Sequence, residues 1–411
     1  MSDKIIINYK YLLLPNKQQN TSLWITLQSC RKQYNEGLEL RNECYECAKI
    51  SVDSFDLNFY FKDRFPNVHS QVKQNVNKRL DVAFKNFFDK RSKYPKFKSK
   101  NQYRSFTYPQ SGFRLINDKR VKLSGIGEVK IVYHRPIIGK IKTCTIKLSK
   151  TNKWYVIFSV EVKPEDFFEI STSQNNNAVG LDVGIKTFAS LSDGIQIENP
   201  RFLVHSEKKI KRAQRRLSHK KKGSSNRKKQ IRKLAKLHEH ITNQRKDFHF
   251  QTAHWLVNNY GLVATENISP KFMIKNHKLA KHASDIAISQ FFNILEYEAY
   301  KHGTIFGQVD AKNTSQICSN CKQIVSKDLS VRTHQCPYCG FVCDRDINAA
   351  INIVDRIPDE FKQTFNLLRN GTAGTAETYK PVETNTAVFN SSELKISVVD
   401  EAGSSDALAS E

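Results

Sequence analysis

Three acidic residues in this chain stand where an apolar run meets polar sequence. Asp182 closes the run in AVGLDVGI, Glu266 lies in LVATENI, and Asp346 lies in CDRDINAAINI, where a helical pattern begins. A carboxylate at the end of a buried strand is costly without a counter-charge. Three of them in one cleft also repel one another. Divalent cations resolve both costs. Two Mg2+ or Mn2+ ions about 3.5–4 Å apart activate water and stabilise the leaving oxygen of a phosphodiester, and magnesium suits such oxygen ligands. In this reading Asp182 bridges the ions, and Glu266 and Asp346 each complete one side. Taken singly, the three have plainer readings as a turn residue, a helix N-terminal acid and an N-cap. The order Asp, Glu, Asp on strand, strand and helix argues against three separate coincidences. An integrase-type transposase would place its Glu last. Asp344, two residues from Asp346, and Asp310, ending TIFGQVD, stay open as alternative ligands.

A second set of residues points to zinc. Cys318 and Cys321 form one C-x2-C pair, and Cys336 and Cys339 form another. Paired knuckles with a short loop between them suit tetrahedral Zn2+ held by four thiolates, a closed and therefore structural site. Such binding is worth on the order of 10–16 kcal/mol, more than a small insert's own core supplies, so the insert is expected to unfold without metal. Cys343 and His334 are spare ligands, more readily read as bystanders. Cys44 and Cys47 repeat the spacing on a helical stretch with no second pair. The cysteine total is nine, an odd number, and favours metal ligation in a reducing compartment over a disulfide framework.

The elements that must position these groups follow from periodicity. Residues 5–14 read as a strand, and 18–93 as helical, with Val72, Val76, Leu80, Ala83, Phe84, Phe87 and Phe88 on one face. Residues 103–163 alternate in short runs divided by Gly, Pro and Asn. A small barrel with helices inserted after its first strand gives this order. STSQNNN (171–177) reads as a linker. Beyond it come three strands, a long basic helical stretch, the strand GLVATENI, a helix over 287–302, the strand TIFGQVD, the cysteine insert and a last helix from about Asp346. That is the element order of an RNase H-like fold with two insertions. From about 370 the composition turns to Thr, Ser, Gly, Ala and acids, and reads as a disordered tail.

Charge indicates the partner. Lys and Arg total 66 against 40 Asp and Glu, a formal charge of +26. A polyanion is the natural complement of that excess, nucleic acid before an anionic membrane surface. No stretch reaches the ~20 apolar residues that span a bilayer. The start shows no signal-peptide pattern, so a cytoplasmic location is expected. Between Lys208 and Lys236 the chain carries fifteen basic residues and no acid, with GSS dividing two helical halves. A plain solvated helix face would mix signs. Lys208, Lys209, Lys211, Arg212, Arg215, Arg216, Lys220, Lys221 and Lys222 are therefore candidates for phosphate contact. YRSFTYP and VKIVYHRP suit base stacking, although core packing accounts for their aromatics nearly as well.

GLDVGIKTFASLSDG, RAQRRLSHKKKGS, ATENI, NTSQICSNC, CPYCG and DRDINAAINI together resemble TnpB (OrfB), a transposon-encoded RNA-guided DNA endonuclease family related to miniature type V CRISPR effectors. The resemblance covers about residues 5–355. It implies a wedge β-barrel (1–15 and 96–170) with an inserted helical recognition lobe (16–95). It further implies a RuvC nuclease domain (178–310 and 341–357) bearing a zinc-binding target-loading insert (311–340). A guide RNA from the transposon end and target double-stranded DNA are the implied partners, with no membrane and no obligate protein partner. By motif, Asp182, Glu266 and Asp346 match the catalytic triad, and the four cysteines match the zinc ligands. Gln71, Gln74 and Asn75 are nominated to read a flanking DNA motif. One departure is CSNCK where the family has CxxCG, so Lys322 must take a turn that glycine makes easily. Rival readings are a non-catalytic DNA-binding regulator, which would leave the acids without purpose, a strand-joining transposase, and an RNA-processing nuclease.

Overall fold

The computed structural model describes residues 5–168, 177–268, 275–276, 279–328 and 331–363. The linker read at 171–177 (apart from Asn177) and the tail from 370 lie outside the described residues. The chain divides into two compact units, the first ending at Lys163 and the second beginning at Pro164.

In the first unit, strand β1 (Ile5–Leu14) alternates buried and half-exposed residues along its length and lies between β5 (Gly127–Val132) and β7 (Trp154–Val162). With β2 (Ser105–Tyr108), β3 (Phe113–Ile116), β4 (Arg120–Leu123) and β6 (Lys140–Leu148) it forms an antiparallel sheet of order β2-β6-β7-β1-β5-β4-β3. The sheet curls until its ends meet. Tyr108 on β2 donates from its hydroxyl to the Ser124 carbonyl at 2.9 Å, and its ring lies 6.5 Å from that of Phe113 on β3. The result is a nearly closed, barrel-like sheet. Tyr103, Phe106 and Tyr108 of the YRSFTYP segment are buried, so core packing accounts for these aromatics and they are not available for stacking on bases.

Three helices follow β1: α1 (Lys17–Ala48), α2 (Ser54–Tyr60) and α3 (Ser70–Phe88). Reciprocal capping boxes start α1 (Asn16 with Gln19) and α2 (Asp53 with Asp56). Val72, Val76 and Leu80 are buried in a block with Leu23, Leu27, Leu38 and Leu57. Burial then fades along the expected face. Phe84 and Phe87 are half-buried against Tyr94, and Phe88 is exposed.

The second unit is built on a five-stranded sheet of order β10-β9-β8-β11-β12. β8 (Ala178–Val183), β9 (Thr187–Leu191) and β10 (Gln196–Glu198) form an antiparallel meander, whereas β11 (Leu262–Glu266) and β12 (Ile305–Val309) extend the sheet in parallel. Because side chains alternate across a strand, the two faces of β8 differ. Val179, Leu181 and Val183, with Val263 of β11, pack against α6 (Ser225–Asn259) and α8 (Ile288–His302). The opposite face of β8 carries Gly180 and Asp182 and is covered by α9 (Arg345–Asp355). On that face Leu262 and Ala264 of β11 pack with Ile353, and Glu266 continues the same row. The remaining helices are α4 (Pro164–Phe167), α5 (Phe202–Ser218) and α7 (Ala280–Ile286).

Gly180 sets how closely α9 approaches. A Cβ there would lie 1.9 Å from the Ala350 carbonyl oxygen and 2.8 Å from Val354 Cγ2. Neither the helix backbone nor a β-branched side chain yields readily. Gly180→Ala is therefore expected to cost about 1–3 kcal/mol or more and to push the helix bearing Asp346 off the sheet. The thermal unfolding midpoint of the variant should fall, and an unchanged midpoint would contradict the packing described.

Candidate active site and metal centre

Asp182 and Glu266 end adjacent parallel strands on the face that α9 covers, and Asp346 occupies the first turn of that helix. Their proximity registers in their acidities. Burial pushes the Asp182 carboxyl well up, and Glu266 and then Asp346 raise it further, with Arg345 opposing. Glu266 is also raised, first by burial, against the lowering effect of its hydrogen bond from Thr314. Asp346 is raised by burial and then by Asp344, with Arg332, Arg345 and Lys186 lowering it. Three partly desolvated carboxylates, of which Glu266 and Asp346 each raise Asp182, are a donor set that fits hard divalent cations. Their oxygens do not all come within 4.8 Å of one another.

The alternative acids have other attachments. Asp344 caps α9, accepting from the backbone N–H of Asp346 at 2.8 Å and of Ile347 at 3.4 Å. The N-cap reading considered for Asp346 thus belongs to Asp344. Asp310 is exposed beyond β12, where its carboxylate accepts from Lys312 N–H at 3.2 Å.

The cysteines form a second centre. Sulfur atoms of Cys318 and Cys339 lie 3.7 Å apart, those of Cys321 and Cys336 3.5 Å apart, and all four fall within 4.8 Å of one another. Tetrahedral Zn–S bonds of ~2.3 Å place sulfurs about 3.8 Å apart, so the donor set fits zinc. The two knuckles repeat one hydrogen-bond pattern. Lys322 N–H donates to Cys318 O and Gly340 N–H to Cys336 O, while Cys318 N–H donates to Gln323 O and Cys336 N–H to Phe341 O. Lys322 and Gly340 are equivalent positions with φ of 61° and 72°, so Lys322 does adopt the left-handed turn. Its ammonium donates to the Ser319 carbonyl at 2.7 Å and pairs with Asp355. The Phe341 N–H, with Asn320, draws the Cys339 thiol down to about 6, towards the thiolate that metal requires. His334 pairs with Lys327 and lies opposite Cys343 between β13 (Thr333–Gln335) and β14 (Val342–Asp344); neither belongs to the four-sulfur group.

The two centres are joined by side chains that periodicity and spacing did not single out. Buried Asn348 and Asn352 of α9 donate to Ile317 O, each at 2.7 Å, and Asn352 also reaches Thr314 O at 2.9 Å. Asn348 accepts from Ser319 N–H at 2.9 Å. Thr314 donates its hydroxyl to Glu266. Arg345 donates to the carbonyls of Asp328 and Val331, and Arg332 pairs with Asp346 at 3.7 Å. The available signal was two Asn spaced i, i+4 on an otherwise apolar helix face.

Sequence comparison bears on these groups together. A family profile described as "Probable transposase" matches residues 157–277, one described as "Cas12f1-like, TNB domain" matches 289–353, and a "Helix-turn-helix domain" profile matches 1–49. Over that last span the structure has β1 and the single helix α1. A Streptomyces pristinaespiralis protein named "Putative RNA-guided DNA endonuclease" is 33% identical over 361 residues, which is 84% of this chain and 88% of that protein. The chain belongs to the TnpB (OrfB) family. "Putative RNA-guided DNA endonuclease InsQ" of Escherichia coli K12 is 30% identical over 373 residues, 84% of this chain and 91% of that one. "TnpB-like protein L770" of Acanthamoeba polyphaga mimivirus is 28% identical over 240 residues, 55% of this chain and 45% of that one.

The residues nominated for nucleic-acid contact fall in two groups. Lys208, Lys209, Lys211, Arg212, Arg215 and Arg216 are exposed on α5, and Lys220, Lys221 and Lys222 are exposed in the turn before α6, where Gly223 takes φ 84°. Lys211 pairs with Glu207 at 2.8 Å. On α3, Gln74 is exposed, whereas the Gln71 carbonyl is engaged by the backbone N–H groups of Gln110 and Ser111. Asn75 is half-buried. Among the described residues no helix is long and apolar enough to cross a membrane.

Proposed function

We propose that this TnpB-family chain is an RNA-guided DNA endonuclease of a transposable element, and that its second unit is a RuvC-like, RNase H-like nuclease domain. The observation that carries the reading is the convergence of Asp182 and Glu266, on one sheet face, with Asp346 at the start of the helix covering it. The names of the bacterial relatives support the guided mode. Mg2+ or Mn2+ held by the three acids supplies water activation and leaving-group stabilisation. The chain's own contribution is orientation. The β8–β11 pairing fixes Asp182 beside Glu266, Thr314 holds the Glu266 carboxylate, and the Asp344 cap fixes the turn that presents Asp346. Zn2+ at the four cysteines is structural, and holds the insert that grips α9.

By this reading the barrel-like sheet is the wedge domain (1–15 and 96–170), with the helices of 16–95 as recognition lobe. The nuclease domain comprises 178–310 and 341–357, and 311–340 is the target-loading insert. Gln71, Gln74 and Asn75 remain the nominees for reading a flanking motif, Gln71 through its amide nitrogen. Base pairing by a guide RNA reads the rest, the division of labour general to such effectors.

The test is to co-express the chain with its flanking DNA and sequence the RNA that survives a high-salt wash. A discrete RNA from the 3′ end of the gene supports the reading. Random, salt-labile RNA would favour a guide-independent nuclease or a regulator. Electrostatics adds a second expectation. Glutamine at Lys208, Lys209, Arg212, Arg215 and Arg216 should lessen the slope of log affinity against log salt by ~0.7–0.9 for each phosphate no longer neutralised. An unchanged slope would remove α5 from the interface.

A further inference from the structure

His254, Glu298 and His302 offer three ligand atoms within 4.8 Å of one another, and the reading above gives them no role. Glu298 and His302 stand four residues apart on α8, and His254 reaches them from α6. Glu298 Oε2 lies 3.7 Å from His254 Nδ1 and 3.5 Å from His302 Nε2. The two imidazole rings meet nearly edge to face, with centroids 5.2 Å apart.

Those separations are informative. Neither reaches the ~2.7–3.2 Å of an N–H···O hydrogen bond. Both approach the edge of a coordination tetrahedron, since bonds of ~2.0–2.1 Å place neighbouring N and O ligands about 3.3–3.4 Å apart. The carboxylate of Glu298 is only 10% exposed and the His302 ring 6%, while His254 is 55% exposed. A buried carboxylate needs a cation beside it. Two imidazoles and a carboxylate, closed on the protein side and open on the solvent side, form the donor set of open transition-metal sites. The α6 and α8 helices pack on the sheet face opposite Asp182 and Glu266, so this centre is separate from the carboxylate cleft.

We propose that His254, Glu298 and His302 bind a divalent transition-metal ion, with Zn2+ the best fit, clamping α6 to α8. Magnesium is disfavoured there, because it takes oxygen ligands. The test uses the untagged full-length chain, carrying one zinc at its four cysteines, titrated with Co2+ against a large excess of Mg2+, which occupies the carboxylate cleft but not a site with two imidazoles. The expected result is one further equivalent with weak visible bands and no thiolate charge transfer. Its apparent Kd should rise by more than ~100-fold in Glu298→Gln, beyond the effect of losing an outer partner. His254→Gln, at an exposed position and so least apt to disturb folding, should abolish the same equivalent while the cysteine-bound zinc is retained. Wild-type chain that binds no second equivalent overturns the proposal, as does a second equivalent whose affinity and spectrum survive His254→Gln.

Discussion

Asp182→Asn is expected to lower DNA cleavage by at least ~10³-fold, about 4 kcal/mol of transition-state stabilisation, while RNA and DNA binding change little. The same variant should be more stable than the parent when divalent cations are absent. Burial and the neighbouring Glu266 and Asp346 hold the Asp182 carboxyl well above its ordinary range. A group that binds its proton more tightly when folded destabilises the fold as pH rises from the ordinary carboxylate range through the raised value. Glu266 and Asp346 are shifted in the same direction. The cation-free protein should therefore lose stability on moving from mildly acidic to neutral pH, and asparagine at 182 should relieve much of that loss. Thermal unfolding at two pH values, with and without Mg2+, reads both effects. Equal stability of parent and variant at neutral pH would mean that neither burial nor the neighbouring acids penalise the Asp182 charge.

Cys336→Ser is expected to cost nearly as much activity by a different route. Zinc at four thiolates contributes on the order of 10–16 kcal/mol to an insert of this kind, and Cys318 and Cys336 are both buried. Without the metal the knuckles should open and become susceptible to protease. The loss should then travel inward, because Asn348 and Asn352 anchor the insert to α9, Thr314 touches Glu266 and Arg332 pairs with Asp346. Cleavage should fall by at least ~100-fold, about 2.7 kcal/mol, with the helical content of the remainder retained. A variant that loses zinc yet cuts at the parental rate would show that the insert does not position the acids.

Local pattern carried much of this architecture. Alternation marked the strands of 103–163, apolar runs marked β8 and β11, and paired cysteines marked the knuckles, because each signal is contained within a few neighbouring residues. The positive φ at Lys322 was legible for the same reason, since its place in the knuckle requires a left-handed turn whatever residue fills it. What escaped was decided by tertiary contact. Local pattern could not show that Asp344, and not Asp346, caps α9, nor that both carboxylates lie close enough to raise Asp182. The aromatics of YRSFTYP are equally compatible with stacking on bases or filling a barrel, and the curl of the sheet decides for the interior. Asn348 and Asn352 look out of place on an apolar face until the carbonyls of the insert arrive to meet them. His254 lies more than forty residues before Glu298, so their meeting depends on how α6 packs against α8.

The most direct test of guided cleavage is to replace only the guide segment of the RNA that co-purifies with the chain. The complex is then offered two DNA duplexes, one matching the old guide and one the new. Mg2+-dependent cutting should move wholly to the newly matched duplex, leave 5′-phosphate and 3′-hydroxyl ends, and disappear in Asp182→Asn. Cutting that ignores the guide, leaves 3′-phosphate ends, or persists without Asp182 would contradict the proposed function.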